Sequence, residues 1–146
     1  MKKFELTSET KINIFGKKLF RIKALISFGN VEAGETGGWV EKEENVNQSG
    51  DAWVSGNAMV SGNAMVFDNA DYATIHGFGT QFRTTTFFRC KDKQVKVSCG
   101  CFYGTIPEFR EQVKNTRKGK IAEEYLMIAD LMEKHFAEEA KIEEAS

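Results

Sequence analysis

A chain of 146 residues with net charge −1, 41% hydrophobic residues and 13 glycines against one proline has the length of one ordinary domain and is rich in turns. The near-neutral charge excludes a protein whose main task is coating nucleic acid, and no apolar run approaches the roughly 18 residues of a membrane span. The basic start Met1-Lys2-Lys3 is followed by no apolar stretch, so the sequence reads as that of a cytoplasmic protein.

Charge is unevenly distributed. Residues 1–30 carry seven basic and two acidic side chains, residues 31–71 one and eight, residues 72–120 ten and three, and residues 121–146 two and eight. Blocks of alternating sign suit the packing of unlike faces within or between subunits; solvated surfaces are the plain alternative.

In chain order, Thr10 to Phe15 and Lys18 to Phe28 flank Gly16-Lys17, and Phe20, Ile22, Ala24, Ile26 and Phe28 alternate with Arg21, Lys23 and Leu25. This pattern predicts a β-hairpin with one buried face. Residues 1–36 are therefore expected to form an N-terminal β cap.

From Ser49 the chain repeats every six residues, as in Ser49-Gly50-Asp51-Ala52-Trp53-Val54, Ser55-Gly56-Asn57-Ala58-Met59-Val60 and Ser61-Gly62-Asn63-Ala64-Met65-Val66. A bulky residue (Val54, Val60, Val66, then Tyr72 and Phe78) precedes by four positions a small one (Ala58, Ala64, Ala70), and both are expected to point inward. Gly-Asn tolerates positive φ, so each pair marks a corner. A six-residue period is that of one face of a parallel β-helix, and with Val40 and Val46 in phase, residues 37–79 predict a short left-handed parallel β-helix of about two coils. So short a solenoid leaves two open ends, to be covered by the terminal segments or by self-association.

After Gly79 the period becomes two, and Thr80 to Lys91 and Gln94 to Cys101, joined at Asp92-Lys93, predict a β-hairpin over residues 80–104. Phe82, Thr84, Thr86 and Phe88 share one face of its first strand; Arg83, Thr85, Phe87 and Arg89 share the other. Two guanidiniums flanking an aromatic suit a ligand with phosphate and a flat ring, because arginine bonds phosphate bidentately and aromatics stack on bases. These four residues are the candidate ligand-binding set, with Lys91, Lys93 and Lys96 around them; a solvated edge or an intersubunit contact is the bland alternative.

The three cysteines, Cys90, Cys99 and Cys101, match no standard zinc spacing even with His76 as a fourth ligand, so they are read as reduced packing residues and no metal is assigned. Thr105-Ile106-Pro107-Glu108 is a capping box that predicts a helix to about Arg117, with Gly119 ending it. A second helix carries the apolar stripe Ile121, Tyr125, Ile128, Ala129, Met132 and Phe136, and the acidic tail from Ala137 to Ser146 continues it or frays. Residues 105–146 are thus two C-terminal α-helices on a mainly β protein, all within a single domain.

The strings Leu19-Phe20-Arg21-Ile22-Lys23-Ala24-Leu25, Gly37-Gly38-Trp39-Val40-Glu41, the Gly-Asn-Ala repeats and Cys99-Gly100-Cys101-Phe102-Tyr103-Gly104-Thr105 resemble, over nearly the whole chain, a family of small phage and prophage hexapeptide-repeat proteins. Some of these are labelled polymer-forming protein or transferase. The resemblance implies a left-handed β-helix and a viral setting, a bacterial host cytoplasm, and assigns no activity.

Three functional classes follow. β-Helix acyltransferases use a histidine base and a coenzyme groove between subunits, but the neighbours of His76 (Ile75, Gly77, Phe78) supply no carboxylate, and His135 sits on the last helix; no catalytic residue and no cofactor is assigned. A self-assembling structural protein would stack open coil ends, which caps at both ends oppose. A non-catalytic phage-type binding protein, acting in counter-defence as a homo-oligomer, needs only a preorganised pocket. Its partner would be a nucleotide-derived signal, such as a cyclic nucleotide or an ADP-ribose derivative, or a host defence protein. This last class is the expectation.

Overall fold

The computed structural model describes residues 2–13, 16–80, 83–99 and 102–137. Two four-stranded sheets and two helices build it. The first sheet has the order β1 (Phe4–Ile12), β2 (Lys18–Ala24), β3 (Thr36–Val40), β4 (Met59–Val60). The second is a meander of β5 (Tyr72–Phe78), β6 (Arg83–Arg89), β7 (Val95–Cys99) and β8 (Phe102–Thr105). The helices α1 (Ile106–Thr116) and α2 (Gly119–His135) follow.

The expected left-handed parallel β-helix is not what the chain forms. All named strand pairs are antiparallel except β3 with β4, and parallel contact beyond that pair is limited to an isolated bridge between Val46 and Val66 among the described residues. The physical reason lies in backbone pairing. With so few repeats to stack on one another, the units from Ser49 to Val66 bond on one side to β3 and the residue after it and on the other to the end of β6 and its following turn, not to successive coils of their own. On one side Gly38 N donates to Val54 O at 2.8 Å, Trp39 N to Ala58 O at 2.9 Å and Glu41 N to Val60 O at 3.2 Å. On the other, Met65 N donates to Arg89 O and Lys91 N to Asn63 O, both at 2.9 Å.

Within that different architecture the inward register of the repeat holds for most of its length. Ala52, Val54, Ala58, Val60, Ala64 and Val66 are all fully buried, with Val40 and Val46 beside them. Gly50, Gly56 and Gly62 turn the chain at φ of 69°, 60° and 62°, a conformation in which an L side chain is strained. The register ends at Asp68. Ala70 lies exposed in a 3-10 turn (Asn69–Asp71), and Tyr72 to Phe78, expected as further repeat, are strand β5 pairing antiparallel with β6.

The N-terminal hairpin forms with shifted bounds: β1 begins at Phe4, ahead of the expected Thr10, and β2 ends at Ala24, short of the expected Phe28. Residues 14 and 15 lie outside the described residues, as do Phe82, Cys101 and the tail beyond 137. Instead of capping a coil end, the hairpin donates β2 as the antiparallel neighbour of β3. Gly37 and Gly38 let the repeat approach β3 closely: a Cβ at 38 would stand 2.7 Å from Ala58 O, and one at 37 would stand 2.6 Å from both Val54 O and Trp53 Cζ2. Lys3 closes the same core. It is 2% exposed, its Nζ donates to the carbonyl of Ala52 at 2.6 Å and stands 4.6 Å from the Phe28 ring centroid, and burial pushes its pKa below the ordinary lysine value.

The second sheet separates two cores. Successive residues of a strand point to opposite faces, so Phe88 joins Val54, Val60, Val66 and Trp53 in the first core while Phe87 joins Val97, Phe109, Val113, Tyr125 and Met132 in the second. The layers run repeat and first sheet, second sheet, helices. Helix α1 starts at the capping box: Thr105 Oγ1 accepts from Glu108 N at 3.3 Å, and Glu108 Oε1 accepts from Thr105 N at 2.8 Å. Among the described residues no helix is long and apolar enough to cross a membrane.

Candidate functional site

Arg83, Thr85, Phe87 and Arg89 do alternate along one face of β6, as the period of two requires. That face is covered by the helices. Thr85 is 0% exposed and its hydroxyl donates to Cys99 Sγ at 2.9 Å; Phe87 is 0% exposed and meets Phe109 edge-on, with centroids 6.0 Å apart. No base can stack on Phe87 in this packing. The structure thus keeps the two arginines apart at the strand ends, Arg83 exposed and Arg89 half-buried, and the middle of the set belongs to the core.

Arg89 lines a cleft. Its Nε donates to Asp71 Oδ1 at 3.0 Å, its Nη2 donates to Phe136 O at 3.3 Å, and its guanidinium carbon lies 5.4 Å from the Phe136 ring centroid. Asp71 reaches it from the 3-10 turn before β5, and Phe136 from the C-cap of α2. Lys93 and Gln94, between β6 and β7, also line the cleft, with Thr105 and Pro107 at the start of α1. Lys93 sits at φ 68°, which holds the turn tight. The open cleft has a volume of about 310 Å³, the lower end of the range for small-molecule sites. Glu133 also borders the cleft, but its carboxylate is held by Arg110 at 3.1 Å, which keeps its pKa below the ordinary value.

Sequence reasoning placed Lys93 near the candidate set but read Phe136 only as part of a core stripe and assigned nothing to Gln94 or Pro107. Their convergence has no local signature, because it joins a turn, a helix start and a helix end that are far apart in the chain.

The other chemistry-bearing residues are placed differently from expectation. His76 is exposed, and its Nδ1 lies 3.2 Å from Thr84 Oγ1, a hydroxyl. His135 is exposed at the end of α2, edge-on to Phe136 at 4.9 Å. Cys90 is 3% exposed; burial and the nearby Asp92 carboxylate push its thiol from an ordinary 9.0 up to about 11, so it stays a neutral packing group. Its stabilising contribution is complete below pH 9 and is lost as pH rises to about 11, since the unfolded chain releases the proton first. Relative to Cys90→Ala, the natural protein is expected to lose about 2–3 kcal/mol over that window in urea unfolding. Parallel stability curves for the two proteins would show that this thiol ionises normally.

A second cavity, of about 350 Å³, lies beside Val46 and Met65 at the edge of the repeat, where Lys2 and Glu43 pair at 2.8 Å. Comparison with protein-family models finds none that matches the chain, and comparison with curated proteins finds no match either.

Proposed function

We propose that this chain is a non-catalytic binding protein of the phage type, acting in counter-defence, and that its ligand is a nucleotide-derived anion seated in the Arg89 cleft. The phage setting rests on the resemblance of its sequence strings to small hexapeptide-repeat proteins. The observation that carries the binding reading is the built position of one guanidinium. Asp71 and the Phe136 carbonyl orient Arg89, the Phe136 ring lies beneath it, and Lys93 supplies a second positive charge to the cleft. Among the described residues Nη1 has no partner, which leaves a preoriented donor for a phosphate oxygen. Orientation paid for by folding is not paid again on binding, which favours tight capture without chemistry.

Calorimetry against cyclic nucleotides and ADP-ribose derivatives tests this. At least one member of the panel is expected to bind. Lys93→Glu, an exposed change that leaves the melting temperature alone, is expected to weaken that binding at least about tenfold, or about 1.4 kcal/mol. If no member binds the natural protein, the signal-sequestering form fails and a host defence protein becomes the better target. If Lys93→Glu binds equally well, the site lies outside this cleft.

A further inference from the structure

Helix α2 carries two apolar faces, and only one is used inside the chain. Tyr125, Ile128, Ala129 and Met132 face the second core. Met127 and Leu131, one turn apart on the outer side, are 69% and 59% exposed. Beside them Phe78 and Ile128 border an apolar hollow of about 420 Å³. An exposed pair of this kind next to a hollow needs an occupant, and the charges along the same helix row say which one.

We infer that the occupant is a second copy of the same helix, packed antiparallel about a two-fold axis beside Ala129. In that arrangement positions equally far before and after 129 face one another across the axis. Met127 then meets Leu131 of the second copy and Glu124 meets Lys134, each contact occurring twice by symmetry. On the exposed row the apolar pair meets apolar, and the carboxylate meets the ammonium. A parallel arrangement would instead set Glu124 against Glu124 and Lys134 against Lys134, which repel. Neither Glu124 nor Lys134 forms an ion pair within the chain among the described residues. The other carboxylates of the outer helix, Asp130 and Glu133, are taken by Arg110 at 2.8 and 3.1 Å and turned away from the row. One helix pair with a shallow hollow makes a small interface, so the dimer is a reversible one.

This surface is separate from the Arg89 cleft, and the two readings stand or fall independently. Sedimentation equilibrium tests the dimer by a charge exchange. The natural protein is expected to dimerise reversibly, and Glu124→Lys alone or Lys134→Glu alone, each with an unchanged melting curve, is expected to weaken the dimer at least about tenfold. Mixing the two single variants is expected to restore a one-to-one dimer, because the antiparallel geometry sets Lys at 124 against Glu at 134 and Glu at 124 against Lys at 134. The double variant is expected to self-associate like the natural protein. A natural chain that stays monomeric at the highest soluble concentration overturns the inference, as do single variants that associate normally. Single variants that weaken the dimer but fail to rescue one another overturn the antiparallel arrangement.

Discussion

Alanine in place of Phe87 is expected to lower the free energy of unfolding by about 3–5 kcal/mol, the cost of removing a phenyl group from a well-packed core. Phe87 is fully buried between Ala73 and Val97 of the neighbouring strands and under Phe109 of α1, so the deletion opens a hole that the sheet cannot close by itself. The size of this effect distinguishes two roles for the residue. A ring displayed for stacking on a ligand would cost little when removed, because its loss would expose no cavity and break no packing. Denaturant unfolding of the purified variant measures the difference. A change below about 1 kcal/mol would mean that the helices leave this face open in solution, and the strand would regain its claim to be a ligand surface.

The second large effect is expected at Asn45, a fully buried side chain on which the first core depends. Its Oδ1 accepts from the amides of Glu41 and Lys42, both at 3.1 Å, and its Nδ2 donates to the carbonyls of Gly62 and Ala64 at 3.2 and 3.1 Å. One amide thus ties the turn after β3 to a corner of the repeat and satisfies four buried or half-buried backbone groups. Asn45→Asp keeps the shape but removes both donors and sets a carboxylate oxygen against two carbonyl oxygens. The expected loss at pH 7 is about 3–5 kcal/mol, the scale for an uncompensated buried charge. Burial raises the pKa of such a carboxyl, so the loss is expected to shrink as pH falls toward about 4, where a protonated carboxyl can donate one of the missing bonds. Urea unfolding of variant and natural protein at both pH values checks size and direction together. A variant as stable as the natural protein at pH 7 would show that the repeat corner does not rely on this amide.

Part of the fold was legible because its signals are local. The capping box at Thr105 needs only four consecutive residues to specify where α1 begins, and the helix starts there. Glycine at 50, 56 and 62 declares a corner whatever lies around it, because only the missing Cβ makes the left-handed conformation inexpensive. The inward Val and Ala positions are equally local, since a repeat that buries one side must bury the same positions in each unit. Lys3 was illegible for the opposite reason. A lysine is almost never fully buried unless its ammonium is bonded, and the carbonyls that bond this one, at Ala52 and Gly50, are supplied from far along the chain.

What the amino-acid sequence determined alone is therefore a part of the elements: the first hairpin, the β6–β7 hairpin, the corners and the small and large positions of the repeat as far as Val66, and the two helices; strands β5 and β8 and the buried side of β6 were not in it. What only the tertiary structure decided is which backbone pairs with which and which face is covered last. The six-residue period predicts inward residues equally well for a coil stacked on its own copies and for a segment wedged between β3 and the β6–β7 turn. Hydrogen-bond partners available elsewhere in the chain chose the second. Likewise the alternation in β6 shows two faces without saying that both are buried. Docking of α1 and α2 over Phe87 made one of them core, and it left Arg89 at the margin, where Asp71, Phe136 and Lys93 meet around a cleft.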